Sequence, residues 1–129
     1  MATATYEILP VNNIPYKLSG VAKVRTRANM IWFWDEADRV LLATPDNNVE
    51  LIKRADVGAG RADDGVVELC IPGLFDGPVD HRISGVTSWK AKDGTAFIEL
   101  WGDDKKLPQA LVPESRWDIR SAGAILTTD

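Results

Sequence analysis

A chain of 129 residues, 45% hydrophobic and 26% charged, has an ordinary globular composition and the length of one domain spanning 1–129, too short for two of typical size. Fifteen Lys and Arg against nineteen Asp and Glu leave a formal charge of −4, which excludes a surface basic all over of the kind that coats nucleic acid. A single cysteine, Cys70, excludes an intrachain disulfide and any Cys-x-x-Cys chemistry.

The charge is evenly spread, with eight cations and nine carboxylates in residues 1–64 and seven and ten in residues 65–129. Any electrostatic role therefore falls to a local patch. Met1 to Glu7 has neither a basic n-region nor an apolar run, so no signal peptide is expected, and no stretch approaches a membrane span. The expected location is the cytoplasm, of a bacterium or of a host cell.

In chain order the dominant signal is a two-residue alternation interrupted by turn chemistry, which predicts strands. From Tyr16 to Arg27, Tyr16, Leu18, Gly20, Ala22 and Val24 alternate with Lys17, Ser19, Val21, Lys23 and Arg25, reading as one strand whose polar face is interrupted only by Val21. Met30–Trp34 and Arg39–Thr44 read as two strands joined by the tight turn Asp35-Glu36-Ala37-Asp38. A helix over Met30–Leu42 is the alternative, but Ile31-Trp32-Phe33-Trp34 is rich in the aromatic and β-branched residues that suit a pleated surface. Pro45 to Asn48 is a turn before a strand over Val49–Lys53. Gly58–Gly65 is a loop before a strand over Val66–Ile71, and Pro72-Gly73 and Asp76-Gly77-Pro78 frame an irregular segment.

The clearest predicted element is a hairpin over Arg82–Gly102, with Asp93-Gly94 at the centre of a type I′ turn. That register pairs Ala91 with Ala96, Trp89 with Ile98 and Thr87 with Leu100 on a core face. On the opposite face it pairs Lys90 with Phe97, Ser88 with Glu99 and Val86 with Trp101. Gly102–Glu114 reads as the longest loop, with a short helical turn beginning at Pro113. Trp117–Thr127 reads as a last strand with Trp117, Ile119 and Ile125 on one side. The fold class is all-β, a small sandwich or partly closed barrel of six to nine strands with at most one short helix.

No catalytic or cofactor motif is present. Asp35 to Asp38 spells a helicase signature, but the phosphate-binding Gly-Lys-Ser/Thr loop those enzymes need is missing. Gly58-Ala59-Gly60 lacks the third glycine of a dinucleotide fingerprint, since position 63 is Asp63. His81 is the only histidine; its neighbour Asp80 would point to the other side of a strand and could not orient it. One histidine and one cysteine make a zinc site an unusual proposition, and Asp63-Asp64 and Asp103-Asp104 lack the alternating pattern of a calcium loop. No metal, cofactor or catalytic residue is expected.

The informative residues are aromatic and basic. Of five tryptophans, Trp32 and Trp34 share one face of their strand and Phe33 takes the other, so this strand is apolar on both sides and needs covering by its own domain or by another subunit. Phe97 and Trp101 share a face with Lys90, a candidate stacking platform or subunit interface. Lys17, Lys23, Arg25 and Arg27 form a basic stripe at two-residue spacing, able to track phosphates or an acidic protein surface. Core is nonetheless the ordinary place for tryptophan, because of its size.

The leading expectation is a non-catalytic binding or assembly module working through protein–protein contacts as a homo-oligomer; a small phage accessory or virion component fits. Its candidate binding residues are Trp32, Phe33, Trp34, Lys90, Phe97, Trp101, Lys23, Arg25 and Arg27. The partner expected is a protein or a second copy of the chain, with nucleic acid ranked behind it and no membrane. The second expectation is an OB-like single-stranded nucleic-acid binder using Phe97, Trp101, Lys90 and the basic stripe. The third is a small carboxylate-based hydrolase or carbohydrate-handling protein.

Overall fold

Ile31 and Phe33 point one way from their strand and Trp32 and Trp34 the other: the first two are fully buried, the second two half-buried. This alternation, repeated along the chain, builds an all-β fold. The computed structural model describes residues 3–55, 65–72, 79–91, 94–122 and 126–128. The expected loop over 58–64, the segment 73–78, the turn residues Lys92 and Asp93, and Ile125 lie outside them.

The strands are β1 (Ala4–Pro10), β2 (Tyr16–Val21), β3 (Lys23–Arg27), β4 (Met30–Trp34), β5 (Val40–Pro45), β6 (Val49–Arg54), β7 (Gly65–Cys70), β8 (Val79–Val86), β9 (Ser88–Ala91), β10 (Phe97–Trp101), β11 (Ala110–Pro113), β12 (Asp118–Ala122) and β13 (Leu126–Thr128). A seven-stranded sheet runs β13-β9-β10-β11-β6-β1-β2, and two three-stranded sheets run β12-β7-β8 and β3-β4-β5. Pairing is antiparallel except between β13 and β9. The only helical turn among the described residues is a three-residue 3-10 turn, Asp46–Asn48, and none of their helices is long and apolar enough to cross a membrane.

The seven-stranded sheet feeds two cores. Tyr6, Ile8, Val21, Ile52, Phe97 and Leu111 join Ile31 and Phe33 of the β3-β4-β5 sheet in the first. Leu51, Ile98, Leu100, Ala110 and Val112 join Val67, Leu69, Ile83 and Trp117 in the second. With apolar layers on both sides, β11 (Ala110-Leu111-Val112-Pro113) is buried at every position, and such a strand loses the alternation of a one-sided sheet. Without that alternation the sequence predicts a loop here, with a helical turn at Pro113; Pro113 instead ends the strand.

The strand count exceeds the six to nine expected because three long strands are broken where they change sheets and because β1 and β11 form where none is expected. Tyr16–Arg27 is two strands. A register shift in the β1–β2 pairing, with Gly20 at φ 75°, turns Val21 inward to complete burial, and Ala22 donates its N–H to the Trp34 carbonyl at 2.8 Å. Val21 is thus a core residue, and Lys17 pairs across β1 with Glu7, away from Lys23, Arg25 and Arg27. Residues 82–91 likewise divide between β8 and β9 near Gly85 (φ 77°), which places Val86 in the second core opposite Gly65. Residues 117–127 divide into β12 and β13, with Trp117 just outside β12. The strand β1 was not anticipated.

The β9–β10 hairpin forms in a different register. Ala91 pairs with Ile98, Lys90 with Glu99, Trp89 with Leu100 and Ser88 with Trp101. The cause is tertiary. Ala28, held at φ 53°, donates its N–H to the Gly94 carbonyl at 2.8 Å and accepts from the Ala96 N–H at 2.7 Å. Residues 94–96 are therefore bound to the β3–β4 turn instead of closing a two-residue hairpin. A slip of two residues keeps each side chain on its face, so Ile98 and Leu100 remain core as expected.

The turn Asp35 to Asp38 forms as expected, and Met30–Leu42 is not a helix. Asp35 Oδ1 accepts from the N–H groups of Ala37 and Arg39, both at 2.9 Å, and Oδ2 accepts from Arg39 Nε at 2.9 Å. These bonds, led by the Arg39 N–H, hold the Asp35 carboxyl below its ordinary range.

Candidate ligand-binding groove

The face of β10 that carries Phe97, Glu99 and Trp101 begins under the first core and emerges at the surface. Phe97 is buried there, which corrects its assignment to an outer platform: the β3-β4-β5 layer covers this end of the face. Glu99 and Trp101 are half-buried, and with Lys90 of β9 they floor a groove of about 440 Å³. One wall is β3 at residues 23–26, which pairs with β4 on its other edge. The opposite wall is the loop between β10 and β11, with Lys105, Lys106 and Pro108.

Five basic residues, Lys23, Arg25, Lys90, Lys105 and Lys106, and one carboxylate, Glu99, line the groove; the Lys23 ammonium itself lies over Trp34 and 3.5 Å from Asp38 Oδ1. In a chain of net charge −4 such a lining is a strong local reversal of sign, and a concave wall of one sign focuses the field on an oppositely charged ligand. Glu99 Oε1 accepts from Trp101 Nε1 at 3.1 Å, which orients the indole. Lys105 Nζ donates to the Gly102 carbonyl at 3.1 Å.

The basic wall has a second side. In the β3–β4 register Lys23 faces Trp34, Arg25 faces Trp32 and Arg27 faces Met30. The Trp32 and Trp34 rings lie nearly parallel, 16° apart with centroids at 6.1 Å, and Lys23 Nζ sits 4.7 Å from the Trp34 ring centre. Strand β3 is thus a basic ridge between the groove and a tryptophan-bearing sheet face.

The wall carrying Lys105 and Lys106 is braced from beneath. Asp104 Oδ1 accepts from the Lys106 N–H at 2.8 Å, and Oδ2 accepts from Arg54 Nη1 at 2.9 Å. The Arg54 side chain is 8% exposed and lies over the Tyr6 ring, whose hydroxyl donates to the Pro108 carbonyl at 2.5 Å. The Lys106 N–H first, and then the Arg54 guanidinium, hold the Asp104 carboxyl below its ordinary range against an opposing effect of burial. A lowered folded-state value adds stability above the unfolded carboxylate pKa of about 3.9, and that stability is lost as pH falls through the folded value. Asp104→Asn is therefore expected to lower the urea midpoint at pH 7, and to do so progressively less as pH falls below the unfolded carboxylate value of about 3.9.

Of the residues singled out from sequence, Lys23, Arg25, Lys90 and Trp101 line the groove, while Lys23, Arg25 and Arg27 share one face of β3 with Trp32 and Trp34 across the β3–β4 pairing. Phe33 and Phe97 are in the core instead. Trp117 is buried, with Nε1 donating to the Glu50 carbonyl at 2.8 Å, and Trp89 packs on the second core. Lys105, Lys106 and the Arg54–Asp104 brace were missed. The only local signal was the charge run Asp103 to Lys106, which reads as a solvated loop.

Elsewhere, His81 Nε2 lies 4.0 Å from both Glu50 Oε2 and Asp80 Oδ2, beyond hydrogen-bond range, and its ring meets Trp117 edge-on at 5.3 Å. Among the described residues no group of three or more His, Cys, Asp or Glu is placed to hold a metal ion. Cleavage by paired carboxylates needs two of them within a few ångströms; the groove lining holds Glu99 alone, engaged by Trp101. No protein-family model matches the sequence, and no curated protein or solved structure matches it significantly.

Proposed function

We propose that this protein is a non-catalytic binding module whose working surface is the groove between β3 and β9–β10, and that its ligand is an extended anionic chain. The reading rests on one observation: five basic residues from three separate stretches of chain, with Glu99 as the one acidic residue beside them, line a single concavity of an acidic protein. The Arg54–Asp104 brace holds one wall in place. Binding that releases counterions from five phosphate-like contacts weakens steeply with salt, by about 100-fold between 50 and 200 mM. Anisotropy of fluorescein-labelled oligothymidine and of labelled heparin, titrated at low salt and then at rising salt, tests this. Arg25→Glu and Lys106→Glu should each weaken binding about tenfold or more and flatten the salt slope by roughly one unit. If neither ligand binds at 20 mM salt, the reading is wrong.

Assembly through protein contacts is supported by a different surface. Trp32 and Trp34 are half-buried on the outer face of the β3-β4-β5 sheet, beside Val40, which is 52% exposed. Covering that face with a second copy would bury apolar area that water now wets. Light scattering at high protein concentration decides it: a strict monomer removes self-association.

A further inference from the structure

Resting on the anionic-chain reading, we infer that the chain is a single-stranded nucleic acid, its phosphates following the β3 ridge and its bases stacking on Trp101 in the groove and on Trp32 and Trp34 beyond it.

Two features select this ligand among polyanions. The first is spacing. Lys23, Arg25 and Arg27 project from one face of β3, and alternate residues of a strand recur at about 6.6 Å. That repeat is comparable to the separation of successive phosphates in an extended single strand. The second is the placement of aromatic faces. A polyphosphate chain has no face to lay on an indole and a sulfated sugar offers only its C–H bonds, whereas every base has a π-face and stacks without regard to sequence. Here tryptophans flank the cationic ridge on both sides: Trp101 lines the groove with Lys90 and Lys105, and Trp32 and Trp34 stand in register with Arg25 and Lys23. The Trp101 ring is held by Glu99, so little ordering is needed on binding. A duplex presents its phosphates but keeps its bases stacked inside, so it meets the cations without using the tryptophans.

The proposal predicts a base-dependent part of the affinity. A labelled 12-nucleotide oligothymidine and an abasic oligomer of the same length and charge are titrated against the intact protein and against Trp101→Ala, Trp101→Phe and Trp32→Ala. The expected result is oligothymidine binding at least tenfold tighter than the abasic oligomer, with quenching of tryptophan fluorescence. Trp101→Ala should remove most of that advantage, by roughly 5- to 100-fold, and Trp32→Ala a smaller part of it, while Trp101→Phe should retain it. Far-UV circular dichroism and the urea midpoint of each variant certify that it is folded, and a folded Trp101→Ala that keeps the full advantage overturns the inference. Equal affinity for oligothymidine and abasic oligomer, or duplex binding as tight as single-strand binding, overturns the inference and leaves the anionic-chain reading standing. No binding of either oligomer at low salt overturns both.

Discussion

Phe33→Ala is expected to destabilise the protein by about 3–5 kcal/mol, the usual cost of emptying a buried aromatic site. That is a large share of the roughly 5–15 kcal/mol available to a domain, and the melting temperature should fall by on the order of 10 °C. Phe33 is fully buried in the first core, with its ring 5.5 Å from that of Tyr6. No smaller neighbour can collapse into the space without disturbing Tyr6, whose hydroxyl holds Pro108 and with it the groove wall. The same substitution at Trp32 or Trp34, one residue away on either side, should cost only about 1–2 kcal/mol, because these rings stack on each other at the surface and lose little burial. Urea unfolding followed by far-UV circular dichroism separates the cases. Equal losses at positions 32 and 33 would mean that both faces of β4 are buried.

Gly102→Ala should be the next most damaging single change, at about 2–4 kcal/mol. A methyl group at this position would overlap the Gln109 side-chain oxygen and come within 2.8 Å of the Gly85 carbonyl oxygen. Gln109 cannot simply swing aside, since its Nε2 donates to the Ser84 carbonyl at 2.5 Å and its backbone N–H to the Leu100 carbonyl at 2.7 Å. Overpacking costs about 1–3 kcal/mol, and a hydrogen bond lost on displacement adds about 1 kcal/mol. Gln109→Ala in the same chain removes one of the two overlaps, so the double variant should be less destabilised than the sum of the single ones, a coupling above about 0.5 kcal/mol. Additive losses would show that Gly102 does not meet Gln109. Because Gly102 opens the loop bearing Lys105 and Lys106, this variant should also weaken ligand binding.

Period-two alternation read β4, β5, β6 and β7 nearly to the residue, because a strand's faces are set locally by the pleat. It failed where the phase is broken. Gly20, Ala22 and Gly85 shift or end the repeat, and a reading that carries the phase across them puts Val21 and Val86 on the wrong side. The hairpin register failed for another reason: Asp93-Gly94 has the right chemistry for a tight turn, but Ala28, far earlier in the chain, bonds the backbone of Gly94 and Ala96. In the candidate site, Trp32, Trp34, Trp101, Lys23, Arg25 and Lys90 were visible as residue types. Their meeting was not, and Phe97 could be assigned correctly only once a second layer was known to cover its end of β10.

The amino-acid order alone was enough to decide that this chain makes strands, that its single cysteine forms no internal bridge, and that its tryptophans and basic residues fall at fixed parities along those strands. These properties depend on neighbours a few residues apart, where steric preference and side-chain alternation act directly. Tertiary structure decided which strands share a sheet, which apolar faces find cover, and which cations converge. Those outcomes depend on contacts between distant segments, such as Arg54 with Asp104 and Ala28 with Ala96, and no local pattern encodes them.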